Sequence, residues 1–218
     1  MMVMSAVSFM VMIFIAGARF RDFAVFFTLA AGGMAALAVT STYRLKRLTG
    51  FLDPWSDPYD SGFQLTQSLI AIGRGEWFGV GLGDSVQKLF YLPEAHTDFV
   101  FAVFAEEFGL LGSLAIIGLF LALLWRVFQL GKRAASSERI FEAYLAIGIG
   151  TWLGIQAFIN IGVNMGLLPT KGLTLPLISY GRSSLIVTMV CIGILLRIHH
   201  ELVVDAKPVN RKRGRRKK

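Results

Sequence analysis

The sequence predicts an all-α polytopic membrane protein: five transmembrane helices and one large extracytoplasmic loop. Three observations predict it. Apolar residues make up 55% of the 218 residues and charged residues only 17%, where a soluble domain carries about 25% charge. The charges also cluster. Residues 1–18, 23–43, 108–125 and 143–170 contain none, and from 172 to 196 the only one is Arg182; a membrane-spanning helix needs roughly 17 to 25 such residues. Finally, the net charge of +8 has one address. The tail 207–218, KPVNRKRGRRKK, holds eight basic residues and no acid, and the other 14 basic residues are balanced by 14 acidic ones.

The expected spans are 1–17, 23–43, 105–127, 140–163 and 183–203, in a single membrane domain covering 1–206, with 207–218 as a basic tail. The first span is not read as a cleaved signal peptide. It lacks a basic leader, and a second full-length apolar run follows after ARFRD (18–22). A basic tail after the last span reads as cytoplasmic by the positive-inside rule. ARFRD and GKRAASSER (131–139) then fall inside, both basic, while the loop 44–98 and the segment 164–182 fall outside. The tail serves topology and attraction to anionic membrane lipid; no nucleic-acid partner is expected. Met1 would lie outside with no positive charge to direct the first span, so the chain reads as the C-terminal part of something longer. Cys191 lies within the last span; as the only cysteine it forms no intrachain disulfide and is silent about compartment.

The external loop carries Trp55, Tyr59, Trp77 and Tyr91. GFQLTQSLIAIGRGEWFGVGLG (62–83) begins with helical apolar spacing and ends in dense glycine. It predicts a short amphipathic or re-entrant helix at the outer membrane surface, followed by a loop whose glycines allow tight turns and close backbone approach. GVGLGD lacks the strand and spacing of a nucleotide loop.

Three sets of polar residues sit in apolar surroundings. In LPEAHTDFVFAVFAEEFG (92–109), Asp98 follows His96 and Thr97, and Glu106 and Glu107 lie deeper. Asp98 and Glu107 are nine residues apart, about 14 Å along a helix, too far to act on one bond. Asp98 serves either as a general base facing a cavity or, the reading the pattern alone favours, as a helix cap with Thr97. For Glu106 and Glu107, at least one is expected to pair with a buried base or line water. Gln156, Asn160 and Asn164, four apart on one face, either hydrogen-bond between helices or line a polar cavity. LLPTKGLTLPLISYGRSS (167–184) is broken by Pro169 and Pro176. Lys171 either snorkels to the headgroups or, with Thr174, Ser179, Tyr180, Ser183 and Ser184, suits a phosphate or pyrophosphate.

LPEAHTDFVFAVFAEEFGLLG, LPTKGLTLPLISYGRSS and FQLTQSLIAIGRGEWFGVGLGDS together resemble the SEDS family (shape, elongation, division and sporulation), over nearly the whole chain and in the family's order. The resemblance is closer to its cell-division branch than to its elongation branch. It implies that the five spans are the last five of a ten-helix fold. It implies a peptidoglycan glycosyltransferase that joins lipid II units during septal wall synthesis at the bacterial cytoplasmic (inner) membrane, with the active site on the extracytoplasmic side. A lipid II flippase and a non-catalytic divisome scaffold are the alternatives. The family's essential aspartate carries over onto Asp98. Implied substrate contacts are Lys171, Ser179, Ser183, Arg182 and His96, with Mg or Mn as an alternative charge on the pyrophosphate, held partly by Asp98. Implied partners are lipid II, a class B penicillin-binding transpeptidase and other divisome membrane proteins. One departure is Arg182, where the family commonly has glycine (SYGGSS): either a further phosphate contact or an outward snorkel.

Overall fold

The computed structural model describes residues 10, 12, 21, 24, 25, 27–29, 32, 33, 51, 53–58, 62–87, 92, 95–170 and 172–206. The expected spans at 1–17 and 23–43 fall mostly outside these, and Lys171 and the tail 207–218 wholly outside. Among the described residues there is no strand. Four helices organise them: α1 (Phe63–Arg74), α2 (Val100–Ser136), α3 (Ile140–Asn164) and α4 (Arg182–Ala206). The last three are long and apolar enough to cross a membrane.

The helix α3 is the central post. It packs along α2 and also meets α4 and α1. Small residues let the backbones approach, as is usual between membrane helices: a methyl group built on Gly131 would meet the Ile147 side chain at 2.7 Å, and one on Gly150 would meet Val127 at 2.8 Å. Val127, Leu130, Ile149, Leu153, Leu195 and Ile198 close the core where α2, α3 and α4 converge. The outward faces of α2 and α4 keep large apolar side chains exposed, among them Leu119, Leu121, Trp125, Ile186 and Val190. Such faces suit acyl chains or other apolar helices rather than water.

At 37 residues, α2 is about 55 Å long, well beyond the roughly 30 Å hydrocarbon layer. It starts at Val100 rather than near 105 and runs past 127. It is also broken. Gly109 has φ 67 and ψ −161, so the carbonyls before it and the amides after it lose their helical partners. The glycine loop after α1 supplies replacements: Val80 and Gly81 N–H donate to the Glu106 and Glu107 carbonyls (3.0 and 3.2 Å), and Leu110 and Leu111 N–H donate to the Glu76 and Trp77 carbonyls (2.9 and 3.2 Å). A broken helix at membrane depth is stable only where its backbone is satisfied in this way. Here the expected close approach is literal. A methyl group on Gly75 would lie 2.0 Å from the Ala105 carbonyl, and one on Gly79 2.1 Å from that of Glu107.

The expected short helix in the external loop is α1, packed on α2 and α3. Its inward face carries Thr66 and Ser68 beside Leu65 and Ala71. The hydroxyls dock it: Ser68 Oγ donates to the Asn164 carbonyl (2.9 Å) and Thr66 Oγ1 to that of Pro54 (3.1 Å).

Candidate functional site

The loop that holds Asp98 is gripped at three successive carbonyls. Tyr180 N–H donates to the His96 carbonyl (2.9 Å), Ser179 Oγ donates to the Thr97 carbonyl, and two α3 side chains share the Asp98 carbonyl. Those two are Asn160 Nδ2 (2.8 Å) and Asn164 Nδ2 (3.0 Å). Both asparagines are buried. They hold the main chain of Asp98 while its side chain stays partly exposed and His96 is exposed. Gly172 leaves room for the carboxylate: a methyl group there would sit 3.0 Å from Asp98 Oδ2.

Of the two readings of the α3 polar face, the structure shows hydrogen bonding between elements. Gln156 Nε2 donates to the Thr174 carbonyl (2.9 Å), Asn160 Nδ2 also to that of Leu173, and Asn164 Oδ1 accepts from Ala102 N–H (3.1 Å). The last bond changes the account of how α2 begins. Its N-cap position is Phe99, with no side-chain cap, so the capping role considered for Thr97 or Asp98 is not what the structure shows. The Ala102 amide, in the first turn of α2, is shared between the Phe99 carbonyl (3.1 Å) and this asparagine from another helix.

The proline-broken segment is the second wall. Leu175 is 1% exposed and packs with Phe101, Ile116, Phe120 and Ala157 between α2 and α3. Leu177 adopts φ 66, a left-handed conformation that bulky residues rarely take. Ser179 Oγ accepts from Leu175 N–H (2.7 Å) as it donates to Thr97; buried and engaged on both sides, it joins two loops. Thr174 Oγ1 donates to Ser184 Oγ (2.9 Å), which ties in the start of α4, where Arg182 and Ser183 are exposed. His96, Asp98, Gln156, Asn160, Asn164 and Ser179 therefore belong to one linked network, with Arg182 and Ser183 at its edge.

Glu106 has partners elsewhere. Glu106 is fully buried and accepts from Ser85 Oγ, from Val86 and Gln87 N–H (3.3 Å each) and from Arg74 Nη1 (3.5 Å). It pins the glycine loop and α1. The arginine that pairs with it is half exposed, so the buried base anticipated for it is an interfacial one. Sequence reading did not single out Ser85, Arg74 or Gly109; a glycine directly behind two acids in EEFG was the available sign of the break. Among the described residues no three metal-ligating side chains cluster.

Fold and site define a polytopic helical membrane protein whose polar residues gather in two clamped loops at one end. A family model for cell cycle proteins of the FtsW/RodA/SpoVE type matches residues 1–203. A probable peptidoglycan glycosyltransferase FtsW of Thioalkalivibrio sulfidiphilus is 60% identical over 192 residues, covering 88% of this chain and 48% of that protein. Two solved structures share the fold. A chain of a peptidoglycan synthase complex aligns with TM-score 0.68 and 33% identity over 88% of this chain and 52% of its own. The rod shape determining protein RodA of Thermus thermophilus aligns with TM-score 0.56 and 29% identity, over 91% and 48%. The chain belongs to the SEDS family, in its FtsW-like branch, and is an inner-membrane protein. It spans about half the length of the curated relatives it matches, 48% of the one from Thioalkalivibrio.

Proposed function

We propose that this chain carries the catalytic aspartate of a peptidoglycan glycosyltransferase that polymerises lipid II on the extracytoplasmic side of the division septum. The observation that carries the reading is the grip on the Asp98 main chain, by two buried asparagines, beneath a partly exposed carboxylate. A general base works only when it is held within reach of the proton it removes, and a base fixed on packed helices is held better than one on a mobile loop. Relatives named peptidoglycan glycosyltransferase add support.

Chain growth requires an acceptor sugar hydroxyl to displace pyrophosphate from the anomeric carbon of the donor. Asp98 takes the proton of the acceptor 4-hydroxyl as its oxygen attacks. The C–O bond to pyrophosphate breaks with its electron pair on the leaving group, and a single displacement inverts the α-linked donor to a β-linked product. Developing charge on the pyrophosphate needs preorganised positive charge. Lys171, next in sequence to Gly172, and Arg182, exposed at the start of α4, are the residues of this chain assigned to it; a divalent cation bound partly by Asp98 is the alternative. Ser183 and His96, both exposed, contribute substrate contacts, whereas Ser179 acts by holding the loops. A class B transpeptidase and other divisome membrane proteins are the proposed partners, and the basic tail faces the cytoplasm.

The test is lipid II polymerisation by the full-length protein with its transpeptidase partner, wild type beside Asp98→Asn. Glycan from the wild type and at least roughly a hundredfold less from the variant is expected, the range general-base catalysis spans. Equal polymer from both removes Asp98 as the base. No polymer from either, with lipid II translocation intact, favours a flippase.

A further inference from the structure

At the end of the molecule away from Asp98, a groove with two chemical layers runs along α2 and α4. Its two adjoining cavities, about 340 and 530 Å³, share Leu130, Arg133 and His199. Arg126, Lys132, Arg133 and His199 supply the rim, and all four are exposed. Leu123 and Leu196 supply apolar wall below them. No acidic side chain lines either cavity. Of the neighbouring acids, Glu142 and Glu201 pair with Arg139 (2.8 and 3.2 Å), Glu201 also with Arg197 (2.6 Å), and Glu138, beside the cavity-lining Ser137, is exposed. Among the described residues, no ion pair joins Arg126, Lys132 or Arg133 to an acid.

Arg126 and Arg133 are seven residues apart on α2, about 10 Å and two turns, so they share a face. Arg133 lies roughly 50 Å along the helix from its start beside Asp98, at the opposite membrane surface. A basic rim over apolar walls, at headgroup depth, is complementary to one kind of molecule. Guanidinium forks suit phosphate oxygens, and basic pockets between membrane helices take anionic headgroups.

We propose that this groove binds an anionic phospholipid of the leaflet opposite Asp98, its phosphate held by Arg126 and Arg133 and an acyl chain lying along Leu123 and Leu196. The assignment depends on the membrane fold and is independent of the glycosyltransferase reading. Occupancy of the groove would fix the spacing of α2 and α4, and α4 begins at the Arg182–Ser184 edge of the polar network. The lipid is thus placed to bear on the outer loops through a helix that spans the membrane.

The test uses full-length protein exchanged into micelles containing equal phosphatidylglycerol and phosphatidylcholine, followed by native mass spectrometry. Wild type is expected to retain phosphatidylglycerol preferentially. Arg126→Gln/Arg133→Gln is expected to lose at least roughly fivefold of that preference, the scale of one charge near a membrane surface. Protein lacking residues 207–218 should keep it. Both substitutions are at exposed positions, and an unchanged melting profile would show that the variant remains folded. Equal retention by wild type and the double variant overturns the proposal. So does preference that vanishes only with the tail, or a wild-type groove that retains no lipid because another part of the full chain fills it.

Discussion

At the scale of single residues, Asn160 and Asn164 matter more than their chemistry suggests. Neither can donate or accept a proton in the reaction, yet together they meet the Asp98 and Leu173 carbonyls and the Ala102 amide. A buried polar group left without its partner costs about 1–3 kcal/mol. Asn160→Ala takes a donor from two carbonyls. It is therefore expected to lower the thermal midpoint and to reduce polymerisation more than lipid II binding. Asn160→Asp keeps the shape but sets a second oxygen against those carbonyls, so it should be worse than alanine by both measures. If the aspartate variant matched wild type in melting and turnover, the clamp would be dispensable. The spacing by four was legible in the sequence and correctly put the three amides on one face. Their partners outside α3 lie from 13 to 66 residues away in the chain; no local pattern announces them.

At the scale of an element, the important event is the break in α2. The uncharged run of eighteen residues, 108–125, lies within α2 and is long enough to cross a bilayer. The break went unread: periodicity continues across it, and the groups that stabilise it come from a loop some thirty residues earlier. Glycines in one helix make a sharp comparison. At Gly109 an alanine would need φ 67, at about 1–2 kcal/mol for a left-handed residue, and would also press its methyl group to 2.4 Å from the Gly79 amide nitrogen. At Gly118 nothing lies within 4 Å of the same methyl group, and alanine gains up to about 1 kcal/mol of helix propensity. Gly109→Ala is expected to melt earlier and polymerise poorly, while Gly118→Ala melts at or above the wild-type temperature. A melting experiment on both variants checks this, and tolerance of alanine at 109 would show that the glycine loop does not depend on the break.

Across the whole molecule, polarity is divided by end. Where α2, α3 and α4 converge, the core is leucine, isoleucine and valine, read from composition and needing little specificity. Toward Asp98 the same helices are joined by hydrogen bonds that cross long stretches of sequence, and this is where a function needing fixed geometry resides. Interhelical hydrogen bonds in membranes average only about 0.6 kcal/mol each, so such a network orders the site more than it stabilises the fold. Ser179 and Ser183 separate those effects. Both belong to a motif whose hydroxyls suit a phosphate, but Ser179 is buried between Leu175 N–H and the Thr97 carbonyl, whereas Ser183 is exposed. Ser179→Ala uncouples the loop holding Asp98 from the proline-broken segment. It is expected to cut kcat several-fold with little change in KM and only a small fall in melting temperature. Ser183→Ala leaves the loops joined and should act, if at all, by raising KM for lipid II. Steady-state polymerisation by the two variants decides the matter: a pure KM effect at Ser179 would return it to the substrate contacts and leave the two loops to be held by Tyr180 and the asparagines alone.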